Sequence, residues 1–237
     1  MSNIRENLAA VNHHIKEVAV RSGRIADEIT LVAVSKTRSL DEVRLAIEAG
    51  QIDFGENTVQ DALSKIPELK TSSSKWHFIG HLQSKKARQI PGNFHWVHSI
   101  DSLKLAQKLS NAMINAGESS HINCLLQVNV ADEASKSGLN SIEVVPFMDE
   151  LLRLELPCIN WRGLMTIGVQ GDDARTRAAF AELRIKLDEC QREFGFENFD
   201  QLSMGMSNDY TIAIEEGSTM VRVGTAIFGE RNIKSTG

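Results

Sequence analysis

The sequence predicts an α/β fold, a single (β/α)8 barrel of the TIM type with an extra helix in front. Three observations predict it. Eight short apolar runs punctuate the chain, stretches of helical period separate them, and polar or glycine-rich residues follow them. Alternation with mostly short loops means parallel strands, because each return needs a crossover helix. Eight such units in roughly two hundred residues suit a closed barrel better than an open doubly wound sheet, which is the alternative. No Gly-x-Gly-x-x-Gly follows any run, which counts against a dinucleotide-binding half.

The chain opens on a helix in which Ile4, Leu8, Val11, Ile15 and Val18 form one apolar stripe. His13 and His14 fall on its polar side, where solvated side chains are expected. The first run, 30–36, is apolar and then stops abruptly at Ser35-Lys36-Thr37. The others span 52–55, 76–80, 95–100, 122–130, 161–167, 200–204 and 219–223. The clearest helix between them is 172–194, where Phe180, Leu183, Leu187, Cys190 and Phe194 keep a 3-4 rhythm. Polar patches at 70–75 and 131–138 read as loops. No Pro/Gly/Ser-rich linker divides the chain, so one domain over 1–237 is expected.

Of 237 residues, 42% are hydrophobic and 24% charged, ordinary for a globular protein. A net charge of -5 leaves no basic footprint for nucleic acid. No apolar run approaches a membrane span and the opening residues are no secretory signal, so a cytoplasmic protein without membrane contact is expected. Cys124, Cys158 and Cys190 are odd in number and far apart, and read as reduced thiols. His77 and His81 are four apart, but Gly80 lies between them and no helix carries them; no metal site is expected.

In such a barrel the chemistry collects at the C-terminal strand ends. There the sequence sets Lys36, Gly55-Glu56-Asn57, Gly80-His81, Asn129, Thr166, Ser203 through Ser207, and Gly224-Thr225. The last two strands carry the strongest signal. Gly205 and Ser207 stand just past the seventh strand, with Ser207 expected to cap a helix through Ile214. Gly224 and Thr225 open a final helical turn. Glycines let backbone N–H groups approach an anion, hydroxyls add donors, and helix N-termini add a favourable dipole. Plain helix capping is the simpler alternative for either turn alone. Both together, after the strands that usually bind phosphate, point to a phosphate site.

Arg222 lies two residues before Gly224 and so points to the same side of the eighth strand. If that side is the lumen, a guanidinium stands beneath the phosphate, at the depth of an attached ring; an internal salt bridge is the alternative. Lys36 completes a set. Pyridoxal 5′-phosphate (PLP) needs an amine for an imine, an anion cradle and a partner for its pyridine nitrogen. Lys36, Ser207 with Gly224-Thr225, and Arg222 fill these roles in order. Partial desolvation at a strand tip disfavours the ammonium form and makes the amine more available.

With those residues in place, the sequence resembles the pyridoxal phosphate homeostasis protein family, also called the YggS or proline-synthase-cotranscribed family. The likeness covers essentially the whole chain: AVSKT at 33–37, FGEN at 54–57, WHFIGHLQSKK at 76–86, SKSG at 135–138, RGLMTI at 162–167, LSMGMSND at 202–209 and GSTMVRVGTAIFG at 217–229. The resemblance implies a barrel similar to the N-terminal domain of alanine racemase, with PLP on Lys36. It implies a phosphate pocket at Met206-Ser207 and Gly224-Thr225, a ring-facing Arg222, and Asn57 and Ser203 near the cofactor. One departure is visible: the family usually reads Gln-Ser-Asn-Lys where this chain has Gln83-Ser84-Lys85-Lys86. Lys136 in SKSG is either a second cofactor contact, a lid residue or a solvated loop lysine.

The rival to a carrier is a PLP-dependent amino-acid racemase. Two-base racemisation needs a second acid/base group opposite Lys36, which racemising relatives take from a tyrosine in a second domain. The one tyrosine here, Tyr210, is expected on the barrel exterior or rim, and the eight residues after Gly229 leave no room for another domain. An arginine at the pyridine nitrogen keeps the ring neutral and a poor electron sink. The sequence therefore predicts a non-catalytic PLP carrier, a monomer, that sequesters the aldehyde and passes it to PLP-dependent apoenzymes.

Overall fold

The predicted alternation closes on itself. In the computed structural model, which describes residues 3–71, 73–117, 121–131, 133 and 137–230, eight strands form one closed barrel in chain order. They are β1 (Thr30–Val34), β2 (Asp53–Glu56), β3 (Lys75–Phe78) and β4 (Trp96–Ile100), then β5 (Ile122–Gln127), β6 (Ile159–Met165), β7 (Gln201–Met206) and β8 (Met220–Val223). Every pairing is parallel, and β1 meets β8 with Thr30 opposite Met220 and Ala33 opposite Val223.

The helices are α1 (Ile4–Arg21), α2 (Leu40–Glu48), α3 (Val59–Leu63), α4 (Ile66–Leu69), α5 (Leu103–Asn115), α6 (Val144–Arg153), α7 (Asp173–Phe194), α8 (Tyr210–Glu215) and α9 (Thr225–Phe228). Their starts follow local chemistry. Ser39 and Glu42 form a reciprocal capping box on α2, and Ser102 and Asp172 accept backbone N–H groups at the heads of α5 and α7. The β3–β4 connection departs from the pattern. Among the described residues it holds only a 3-10 segment, Ser84–Gln89, which ends just before Pro91. The fifth run stops at Gln127, three residues early, and the sixth strand starts at Ile159 rather than 161.

The helix α1 buries Ile4, Leu8, Val11, Ile15 and Val18, as its stripe predicts. It lies over α8, α9 and α2, outside the seam where the first and last strands meet. Asn7 donates to Ile227 O at 2.8 Å, and Arg24 donates to Ser218 O at 2.7 Å, so polar bonds pin the same seam.

Strand alternation divides the buried side chains into two sets. Leu31, Phe54, Trp76, Val97 and Leu126 face the helix layer and belong to the main apolar cluster. Inside the barrel a small apolar group, Leu125, Met165 and Met220 with Trp96 and Ile167, packs together, and Val32 of β1 is buried on the same side. Beside them the lumen holds four buried polar residues, His77, His98, Ser203 and Arg222. Lumens of this fold are ordinarily layered with branched apolar residues, so the polar content has to be explained by function.

Candidate functional site

After Val34 the chain turns at once. The Arg38 N–H donates to Ser35 O at 3.0 Å, which closes a four-residue turn with Lys36 in second place, half-buried. Thr37 follows at φ 62, a left-handed conformation in which β-branched residues are outliers. Such backbone persists only where neighbours hold it. Here the Thr37 N–H donates to Asp61 Oδ2 at 2.7 Å, and Lys65 Nζ donates to Ser35 O at 2.8 Å. Lys65 also pairs with Glu56 Oε1 at 2.7 Å and Asp61 Oδ1 at 3.1 Å, and Ser35 Oγ donates to the same Glu56 oxygen at 2.7 Å. Lys65 and Glu56 are only 2% and 0% exposed. Glu56 points away from the lumen, into the layer between barrel and helices, so this cluster holds the Lys36 turn from behind.

Burial raises the Glu56 pKa to about 7, opposed by Lys65 and by the Ser35 hydroxyl. Its Oε2 has no hydrogen-bond partner among the described residues, so Lys65 and Ser35 compensate this carboxyl through one oxygen alone. The folded value lies above the usual 4.5, so this contribution to stability is full below about pH 4.5 and is lost as pH rises through about 7. Glu56→Gln does not titrate. The stability of the natural chain relative to this variant should therefore fall by about 3 kcal/mol between pH 4 and pH 8. Urea unfolding across that range checks it, and a constant difference would contradict the assignment.

A cavity of about 730 Å³ opens at the C-terminal strand ends. Lys36, Asn57, Met206, Ser207, Arg222, Gly224 and Thr225, seven of the eight predicted site residues, line it together. Ser203, the eighth, lies beneath the cavity floor, fully buried, and accepts a hydrogen bond from Arg222 Nη1 at 2.7 Å. Arg222 Nη2 donates to Thr166 O at 2.9 Å. The guanidinium thus faces the lumen side, held by a hydroxyl and a carbonyl. Burial lowers its pKa to about 10, opposed by Asp209, which leaves it protonated at neutral pH. Residues 167–171 and Asp209 also line the wall; Ile167 and Asp209 fall within the quoted motifs but without an assigned role, and residue type marks none of the others.

Ser207 is not the helix cap that the sequence suggested. Asp209 accepts the Met206 N–H and returns its own N–H to Met206 O, so a tight turn intervenes and α8 starts only at Tyr210. Ser207 Oγ accepts instead from the Gly224 N–H at 3.3 Å and ties the turn after β7 to the turn after β8. Gly205 is required there: at φ 95 a Cβ would stand 2.5 Å from that of Ala213. Gly224 precedes α9 as predicted, and a Cβ on it would come within 3.3 Å of Val34. The N–H groups of Thr225 and Ala226, at the head of α9, have no carbonyl one helical turn back to bond.

Tyr210 is 9% exposed and sits under α1, on the exterior as expected, with its hydroxyl 2.5 Å from His14 Nδ1. His14 is therefore a packed partner rather than a solvated side chain. Lys85 is exposed on the 3-10 segment, and Lys136 lies outside the described residues. Among the described residues no helix is long and apolar enough to cross a membrane.

A closed barrel with a lysine at the first strand tip and paired turns after the last two strands belongs to a recognisable class. The family described as "Alanine racemase, N-terminal domain" matches residues 6–232. Within that class the agreement is closer still. The pyridoxal phosphate homeostasis protein of Pseudomonas aeruginosa is 46% identical over 233 residues, covering 98% of this chain and 97% of the relative. That of Escherichia coli is 43% identical over 245 residues, covering 98% of each. The chain belongs to the pyridoxal phosphate homeostasis protein family. Among solved structures, PipY of Synechococcus elongatus with PLP bound is 35% identical, with a TM-score of 0.81 over 96% of this chain and 100% of that one. An alanine racemase of Clostridium difficile, 17% identical, has a TM-score of 0.72 over 98% of this chain and 58% of its own, a likeness of fold alone.

Proposed function

We propose that this chain binds PLP covalently as an imine on Lys36 and acts as a carrier in intracellular vitamin B6 homeostasis, holding the aldehyde and delivering it to PLP-dependent apoenzymes. One observation carries the reading: an amine, a guanidinium and two hydroxyl- and glycine-bearing turns line the same cavity. Its volume suits a cofactor of this size. The PLP-bound PipY structure and the names of the curated relatives support it from outside.

In this reading Lys36 supplies the amine. The Ser207 and Thr225 hydroxyls, with backbone N–H groups of Met206-Ser207 and Gly224-Thr225, hold the phosphate. Arg222 donates to the ring nitrogen, Asn57 contacts the cofactor from the β2 side, and Ser203 acts through Arg222. When bound, PLP supplies an electrophilic aldehyde carbon and a ring that drains electrons well only when its nitrogen is protonated. A donor such as Arg222 leaves that nitrogen unprotonated. Tyr210, held against His14 under α1, offers no acid/base group to the cavity. Both features support a carrier over an amino-acid racemase.

Loading the chain with PLP and recording its absorbance tests the cofactor assignment, because the imine absorbs where the free chain does not. Incubating the loaded chain with L-amino acids and assaying the D-isomers tests the carrier reading; Lys36-dependent racemisation at enzyme-like rates would refute it. Transfer is read by mixing the loaded chain with a PLP-dependent apoenzyme and following recovered activity. Ser207→Ala should weaken PLP binding about tenfold, near 1.4 kcal/mol, in an absorbance titration. Its bond to Gly224 is long at 3.3 Å, so the melting temperature should barely change.

A further inference from the structure

Five polar side chains cross the barrel lumen in one hydrogen-bonded line. Arg222 Nη1 meets Ser203 Oγ at 2.7 Å, Ser203 Oγ meets His98 Nδ1 at 2.8 Å, His98 Nε2 meets His77 Nδ1 at 2.9 Å, and His77 Nε2 meets Asp53 Oδ1 at 2.9 Å. They come from β8, β7, β4, β3 and β2 in turn. Arg222 lines the cavity, whereas Asp53 opens β2 at the opposite end of the barrel with 17% of its side chain exposed. Ser203, His98 and His77 between them are fully buried. A buried polar string of this length is tolerated only when each member is satisfied.

The two ends fix the direction of every bond. A guanidinium only donates and a carboxylate only accepts. From the Arg222 end, Ser203 accepts and must pass its proton to His98 Nδ1, which leaves His98 Nε2–H to donate to His77. From the Asp53 end, His77 Nε2–H donates to the carboxylate, which leaves His77 Nδ1 as an acceptor. Both ends give one pattern, with each histidine neutral and protonated on Nε2. With the rest of this pattern kept, a second proton on either ring would set two donors face to face. Burial also disfavours the charged form of both; on His77 it is opposed by the Asp53 carboxylate and aided by Lys75, and on His98 it is aided by His77 and Arg222. The groups that face Arg222 are Asp209 at the head of α8, Ser203 and the Thr166 carbonyl.

We propose that Asp53, His77, His98 and Ser203 are positioning residues that set, from the far end of the barrel, how Arg222 is presented to the ring of the bound cofactor. The inference rests on the PLP reading above. Two of the five guanidinium N–H groups are fixed on Ser203 and Thr166, which orients its plane and leaves the others for the cavity. Asp53 holds the line in register because its carboxylate accepts only. An amide there can offer an N–H to His77 and reverse the line. His98 Nδ1–H and Arg222 would then both point at Ser203 Oγ, and the hydroxyl proton would lose its acceptor.

The side-chain ¹⁵N resonances of His77 and His98 in the PLP-free chain test the pattern directly. Both should report the Nε2–H form at neutral pH, and Asp53→Asn should shift both toward Nδ1–H; a natural chain with either ring in the Nδ1–H or doubly protonated form overturns the proposal. In the loaded chain the imine absorbance should be constant from pH 6 to 9. With Asp53→Asn it should titrate within that window, and PLP should leave about tenfold faster, the effect of one displaced hydrogen bond. Asp53→Glu, which keeps the acceptor, should restore the natural profile. Ser203→Ala cuts the line at its cavity end and should give the same spectral change even if Asp53→Asn folds poorly. Variants with the natural spectrum, pH profile and release rate overturn the positioning role. A natural chain that takes up no PLP overturns the functional reading instead, and the tautomer measurement stands apart from it.

Discussion

Lys36→Ala is expected to abolish covalent retention of PLP. After loading, borohydride reduction and denaturation, the natural chain should carry the added mass of one cofactor and the variant none. Its imine absorbance should vanish as well. The fold should survive, because the bonds that hold the turn run to Ser35 O and the Thr37 N–H, backbone atoms that alanine keeps. A change in unfolding free energy of no more than about 1 kcal/mol is expected. Residual, reversible binding through the two phosphate turns and Arg222 should remain and be displaced by inorganic phosphate. Lys36→Arg sharpens the test: it keeps a cation at the strand tip but has no nucleophilic amine at neutral pH. Retention of borohydride-fixed cofactor by both variants would move the linkage to another lysine and refute the assignment.

The barrel was legible because it rests on periodicity. Strand runs ending in polar residues and the 3-4 rhythm of α7 are set by the local sequence, and the closed order β1 to β8 follows from them. The gathering of Lys36, Ser207, Arg222 and Thr225 in one cavity was legible for a related reason: strand ends of a closed barrel converge wherever they lie in the chain. What escaped was set by tertiary partners. Asp209 reaches back to the Met206 N–H and delays the start of α8, which no propensity at Ser207 reveals. Asp61 and Lys65 have only the i,i+4 spacing of any surface acid–lysine pair, which does not reveal that Lys65 is just 2% exposed, beneath the catch of the Lys36 turn. His77 and His98 sit 21 residues apart and become bonded only when β3 and β4 pair side by side.

Lys65→Met should have the largest effect on stability. Lys65 is the shared partner of Glu56, Asp61 and Ser35 O, so one substitution removes three bonds and leaves a buried carboxylate without its counter-ion. The expected loss is about 3–5 kcal/mol, the range for breaking a buried pair from one side. For a chain of this length that corresponds to a melting temperature lower by about 6–20 °C. The loss should depend on pH in a definite sense. Glu56 already titrates near 7 with Lys65 beside it; without the ammonium its folded pKa rises further, so the neutral acid is the form the variant accepts. The gap between natural chain and variant should therefore be smallest at pH 5 and widen as pH rises through about 7 and beyond. Adding Glu56→Gln to the variant should recover part of the loss at pH 8 and little at pH 5, the signature of coupled sites. Because the same ammonium holds Ser35 O, the Thr37 turn should loosen, and imine formation on Lys36 should slow even well below the melting transition. Urea unfolding at both pH values, with stopped-flow absorbance after PLP addition, reads the two consequences separately. A variant as stable as the natural chain at pH 8 would show that the turn carrying Lys36 is held by something other than this cluster.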